Sequence, residues 1–167
     1  CATLLAWQRW RLHDSDQQPN GPVGETRIEV PVHPERQPSG FAFEDVAQTL
    51  GIDFEYFRGD TGKLWTVEPH GGGVASLDFD GDRWEDLFFV NGKQLPPDLA
   101  DHSQVSRLYR NRYPGAFEDV TNASKLMMSV YGQGCTSADY DNDGFADLLV
   151  TGWHECLLWH NNGDGTF

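Results

Sequence analysis

The residues with the clearest capacity for chemistry are carboxylates spaced along short turns. Asp139, Asp141, Asp143 and Asp147 fall at positions 1, 3, 5 and 9 of Asp139-Tyr-Asp-Asn-Asp-Gly-Phe-Ala-Asp147, with glycine at position 6. Ca²⁺ takes about six to eight oxygen ligands at about 2.3–2.6 Å, so carboxylates at alternate positions must curl around one point. Gly144 permits the reversal, the carbonyl of Phe145 supplies a further ligand, and Asp147 closes the cage. The device occurs a second time as Asp78-Phe-Asp-Gly-Asp-Arg-Trp-Glu-Asp86. Two such loops in matching context are hard to read as solvated acidic turns. The chemistry expected of both is cation binding, with Ca²⁺ favoured over Mg²⁺ or Mn²⁺ because carboxylates and carbonyls on a flexible loop suit it.

What positions these loops is not a pair of helices. An EF-hand needs helices on both sides and a bidentate Glu at position 12; here position 12 is Phe89 in one loop and Val150 in the other. Each loop opens instead into a short apolar run, Leu87-Phe-Phe-Val90 or Leu148-Leu-Val150, bounded by Asn91-Gly92 or Gly152. Such runs read as buried strands. Glycine-rich strands precede the loops, Gly71–Leu77 and Gly132–Ala138, and third strands follow, Ser106–Asn111 and Glu155–Asn161. Upstream of each set stands the same string, Ala42-Phe-Glu-Asp-Val46 and Ala116-Phe-Glu-Asp-Val120. Ala42–Gly51 reads as one or two helical turns stopped by glycine, so short helical lead-in segments are expected. Self-similarity in this order is a repeat architecture. A repeated unit of three or four short antiparallel strands fits a β-propeller blade, and the fold class expected is all-β with about two incomplete blades. Propellers close with about four to eight blades, so the chain reads as an N-terminal fragment of a longer protein. Phe167 holds the phase of Phe43 and Phe117.

Composition agrees. In 167 residues there are 18 Gly, 9 Pro and 13% aromatic residues, which suits a turn-rich β protein. The net charge of −14 argues against nucleic-acid binding. Residues 1–12, beginning Cys-Ala-Thr-Leu-Leu-Ala-Trp, read as the remnant of a signal or anchor segment, with a lipidated Cys1 and a plain chain end as alternatives; the apolar run is too short to span a membrane. Residues 13–40 carry five prolines and read as a stiff spacer, in which Thr26–Val30 is an edge strand at best. The repeat region is 41–167: a lead-in over 41–70, one repeat over 71–131 and a truncated second over 132–167.

Other groups give little. Cys135 and Cys156 have no metal-ligand spacing and read as core thiols inside strands, a disulfide between them staying open. No catalytic cysteine, His-Glu-x-x-His or Gly-x-Ser-x-Gly signature occurs. Arg58-Gly-Asp60 reads as a polar turn, and Asn122-Ala-Ser124 as an incidental glycosylation pattern.

The motifs Gly71-Gly-Gly-Val-Ala-Ser-Leu-Asp-Phe-Asp-Gly-Asp82, Arg107-Leu-Tyr-Arg-Asn111, Phe117-Glu-Asp-Val-Thr121, Tyr140-Asp-Asn-Asp-Gly144 and Asn161-Asn-Gly-Asp-Gly-Thr-Phe167 resemble the FG-GAP/VCBS-repeat proteins. Within them the similarity points to the group related to cartilage acidic protein that carries ASPIC/UnbV-type ends. The resemblance implies an integrin-α-like β-propeller with Ca²⁺ in inter-strand loops. It implies side-chain ligation by Asp139, Asp141, Asp143 and Asp147 with the Phe145 carbonyl, and by Asp78, Asp80, Asp82 and Asp86 with the Trp84 carbonyl. Arg83 replaces the usual glycine at position 6, so the first site is expected to be the weaker. The function expected is a calcium-binding extracytoplasmic scaffold, secreted, periplasmic or envelope-anchored, that binds protein or glycan and is not an enzyme. Its other partners are a membrane tether through the N-terminus and the remaining blades of the same chain. The alternative is part of an exported propeller hydrolase or lyase whose active site lies in other blades.

Overall fold

A computed structural model of the chain describes residue 40 and residues 42–63, 65–98 and 100–167. The expected anchor remnant, nearly all of the proline-rich spacer and the edge strand Thr26–Val30 lie outside the described residues.

Seven strands form two antiparallel sheets within the compact unit Phe43–Phe167. The first sheet is a meander of β1 (Val74–Leu77), β2 (Asp86–Phe89), β3 (Arg107–Asn111) and β4 (Phe117–Asp119), in that order. The second is β5 (Gly132–Ala138), β6 (Asp147–Gly152) and β7 (Glu155–Trp159). Together they are incomplete β-propeller blades. The alternation in β1 buries Ala75 and Leu77 and turns Val74 and Ser76 outward. Register then sets Ala75 against Phe88 and Phe88 against Leu108. These side chains join Leu148 and Val150 from β6, with Leu126, Met128 and Val130 from the connection between the sheets, in one apolar cluster.

The glycines before each loop have a packing reason. A Cβ on Gly73 would stand 2.8 Å from both Cys135 N and Gly134 Cα, and one on Gly132 would stand 1.9 Å from Val90 Cγ1. The first strands of the two sheets therefore approach backbone to backbone, and Ser137 Oγ donates to the Ser76 carbonyl at 2.9 Å.

Among the described residues there is no helix, which corrects the expected helical lead-ins. Residues 47–51 make a single turn in which Leu50 N–H donates to Val46 O at 2.9 Å, and Gly51 at φ 88° ends it. One turn has too few internal bonds to propagate. The second Phe-Glu-Asp-Val string is not a lead-in at its start either: Phe117–Asp119 is β4, paired along β3 from Asn111↔Phe117 to Tyr109↔Asp119. The open edge of β3 supplies hydrogen-bond partners that a helical turn would leave unused. Its turn follows at 121–125, with Ser124 N–H donating to Val120 O at 2.8 Å. The two turns do the same work. Phe117 N–H donates to Leu50 O at 2.6 Å, and Phe167 N–H donates to Ser124 O at 2.9 Å.

Cys135 and Cys156 are both free. Cys135 on β5 is half-buried against the core, but Cys156 on β7 is exposed and is not a core thiol. The strand β6 lies between them. At about 4.8 Å per strand spacing this exceeds the Cα separation a disulfide accepts.

Candidate metal centre

Each acidic loop joins the first and second strands of its sheet. A tight loop of this kind needs left-handed backbone, and both copies take it at positions 4 and 6: Gly81 (φ 76°) and Arg83 (71°), Asn142 (62°) and Gly144 (97°). The sequence thus permutes where its single glycine falls, and Arg83 carries the positive φ that the spacing predicts for it.

The first carboxylate of each loop accepts from the backbone it encircles. Asp139 Oδ1 accepts from Asp143 N–H at 3.1 Å and Oδ2 from Gly144 N–H at 2.9 Å. Asp78 Oδ1 accepts from Gly81 and Asp82 N–H at 2.9 and 3.0 Å, and Oδ2 from Arg83 N–H at 2.8 Å. Asp143 accepts from Phe145 N–H, and Asp82 from Trp84 N–H, both at 2.9 Å. The ninth residue is buried at the head of a strand. Asp147 accepts from Tyr140 N–H at 3.0 Å and Asn161 N–H at 2.7 Å; Asp86 accepts from Phe79 N–H at 3.1 Å and Asn111 N–H at 2.7 Å. Burial raises the Asp86 carboxyl to about 6 against the pull of these N–H donors.

Convergence is what a cation needs. In the second loop one oxygen from each of Asp139, Asp141 and Asp143 lies within 4.8 Å of the others, and Asp141 and Asp147 form a similar group with His160. In the first loop Asp78, Asp80 and Asp86 converge in the same sense. Asp82 does not join that group: its carboxylate is turned to Arg110, whose Nη2 lies 3.1 Å away. The Trp84 side chain leaves the loop to stack on Tyr113, ring centroids 4.0 Å apart. Phe145 packs under the glycine turn at Gly163, where a Cβ would meet its ring at 2.6 Å.

The donor sets differ in their fit to Ca²⁺. The second loop offers exposed carboxylates at Asp139, Asp141 and Asp143, with the buried Asp147 behind them, and fits. The first places a guanidinium on its carboxylates: Arg110 Nη2 stands 2.5 Å from Asp80 Oδ2. Burial raises the Asp80 carboxyl, and Arg110 offsets it. Asp82 is lowered, first by the Trp84 N–H and then by Arg110.

Three contributors escape a reading of the loops alone: Arg110, His160 and the pair Asn111 and Asn161. Aligning the two third strands on Asn111 and Asn161 sets Arg110 against His160, and that comparison was the available signal. Asn161 is fully buried and donates through Nδ2 to Phe79 O at 2.8 Å and Ala146 O at 3.1 Å, tying the second sheet to the first loop. The tripeptide Arg58-Gly-Asp60 is held in the fold: Gly59 is buried at φ 67°, Arg58 O accepts from Tyr131 Oη at 2.9 Å, and Asp60 Oδ1 accepts from Gly62 N–H at 2.8 Å.

No curated protein matches the chain. Residues 78–150, from the first aspartate of the first loop to Val150 in β6, match the FG-GAP-like repeat. Over these residues the chain is similar to the FG-GAP-like repeat, and its two loop-bearing antiparallel sheets are consistent with the incomplete blades of such a β-propeller.

Proposed function

We propose that this is a calcium-binding, extracytoplasmic propeller module that serves as a binding or adhesion scaffold for a protein or glycan. The observation that carries the reading is the convergence of Asp139, Asp141 and Asp143, with ligand oxygens mutually within 4.8 Å, on a loop between paired strands. Carboxylates so close repel one another, and a bound divalent ion neutralises them. The ion would be held by Asp139, Asp141, Asp143 and Asp147, and its binding free energy would be folding free energy of the loop. A scaffold role is favoured over catalysis because Asp139, Asp143 and Asp147 hold backbone N–H groups in place, those of Asp143, Gly144, Phe145 and Tyr140 in the loop and that of Asn161 beyond the third strand. Partner contact through the loops is supported by exposed aromatics there: Trp84, Tyr113 and Tyr140. Aromatic side chains of this kind are enriched in interfaces. The extracytoplasmic assignment follows the usual setting of FG-GAP repeats, and millimolar external Ca²⁺ would fill even a weak site.

Thermal unfolding of the full chain, followed by circular dichroism with Ca²⁺ or with a chelator, tests the reading. The midpoint is expected to rise with Ca²⁺, and Asp141→Ala is expected to lose most of that rise. A midpoint indifferent to both chelator and substitution would sink it.

A further inference from the structure

Arg110 and His160 occupy the same place in the two sheets. Each directly precedes an asparagine whose backbone N–H donates at 2.7 Å to the buried carboxylate that ends its loop, Asp86 or Asp147. What they present there differs. Arg110 Nη2 lies 2.5 Å from Asp80 Oδ2 and 3.1 Å from Asp82 Oδ2. His160 Nδ1 lies 3.3 Å from Asp141 Oδ2 and 3.2 Å from Asp147 Oδ1. A guanidinium is always charged and has no lone pair for a metal, whereas an imidazole nitrogen can carry one.

We propose that Arg110 is a resident cation of the first loop, so that the chain takes one Ca²⁺, at the second loop, and holds the first loop folded without a metal. The inference rests on the calcium reading of the second loop. A metal in the first loop would need the carboxylates at positions 3 and 5, Asp80 and Asp82, and both are engaged by the same guanidinium nitrogen. Asp80 Oδ2 is buried and has no hydrogen-bond partner among the described residues, so the charge of Arg110 is what compensates it. An uncompensated buried carboxylate is strongly destabilising, which makes Arg110 hard to displace. Position 1 does not separate the two loops, because Asp78 and Asp139 each accept backbone N–H groups through both oxygens. Arg112, the other arginine near this loop, is paired with Glu118. The second loop has no arginine or lysine in its ring of aspartates.

Calorimetric titration of the full chain with CaCl₂ tests this. The wild-type chain is expected to take up one equivalent, Asp141→Asn to abolish it, and Asp80→Asn to leave it in place. Arg110→Met, which keeps the aliphatic stem and removes the charge, is expected to raise the uptake from one equivalent to two. In chelator it should melt below the wild type, and Ca²⁺ should restore the difference. Two equivalents in the wild type, one of them lost in Asp80→Asn, would overturn the proposal, as would a folded Arg110→Met chain that still takes one. No uptake by the wild type with one equivalent in Arg110→Met would sink the calcium reading of the second loop while upholding the role of Arg110. No uptake by either chain overturns both. If Arg110→Met does not fold, Asp80→Asn decides: an unchanged single equivalent supports the resident cation, and a lost one overturns it.

Discussion

Position 6 of the first loop is where a single side chain works against its backbone. Arg83 sits at φ 71°, a conformation that costs a non-glycine residue about 1 kcal/mol, while its counterpart Gly144 at 97° bears no such cost. Arg83→Gly is therefore expected to stabilise the chain by up to about 1 kcal/mol, the gain in native strain relief being offset by the looser unfolded chain. Gly144→Ala should destabilise by about 1–2 kcal/mol. Denaturant melts in chelator check both, so that metal affinity does not enter. This strain was legible from spacing, because the loop pattern fixes which residue must reverse the chain. The roles of Arg110 and His160 were not. Each reaches its loop from a strand far along the sequence, and only the register of β2 with β3, or of β6 with β7, brings it there.

The same five residues, Ala-Phe-Glu-Asp-Val, end in two conformations. In the copy at 116–120 they include β4, paired along β3; in the copy at 42–46 they are irregular, and Phe43 is wholly exposed. Local sequence is identical, so what decides is whether an unpaired strand edge stands beside the segment. That is why the strands around the loops could be read from apolar runs and turn residues, while the lead-ins were read as helical. Glycines carry a second lesson about elements. Gly73 lies at the backbone contact between the sheets, and a methyl group there has to displace Cys135 N or Gly134 Cα. Gly73→Ala is expected to cost about 1–3 kcal/mol, read as a lowered denaturation midpoint. Asn161→Ala removes three hydrogen bonds, one of them accepted from Gly163 N–H, and strands the carbonyls of Phe79 and Ala146 in the interior. It should cost about 2–3 kcal/mol, and amide exchange should quicken in the first loop as well as in the second sheet.

For the molecule as a whole, acidity and thiol chemistry give the tests. Burial pushes the Cys135 thiol up to about 11. A thiol whose folded value exceeds its ordinary one near 9 contributes stability that is intact below pH 9 and is lost as pH rises towards 11. Stability should fall across that window, and Cys135→Ala should flatten that part of a stability profile. Under native conditions at neutral pH an alkylating reagent followed by peptide mapping is expected to label the exposed Cys156 and to spare Cys135 until the chain unfolds.

The repeat in the sequence and the sheet in space are out of step. The second Phe-Glu-Asp-Val string belongs, through β4, to the sheet before it and, through its turn at 121–125, to Phe167, the aromatic residue that follows the second sheet. Phe117 meets Leu50, and Phe167 meets Ser124. The blades overlap along the chain like roof shingles, each fastened by the start of the next. Excising a repeat at Ala116 would strip the outer strand from the first sheet, whereas a cut after Thr121 would leave that sheet whole. Gain or loss of such units during evolution is constrained in the same way, since the segment that can be duplicated cleanly is not the segment that folds as one sheet.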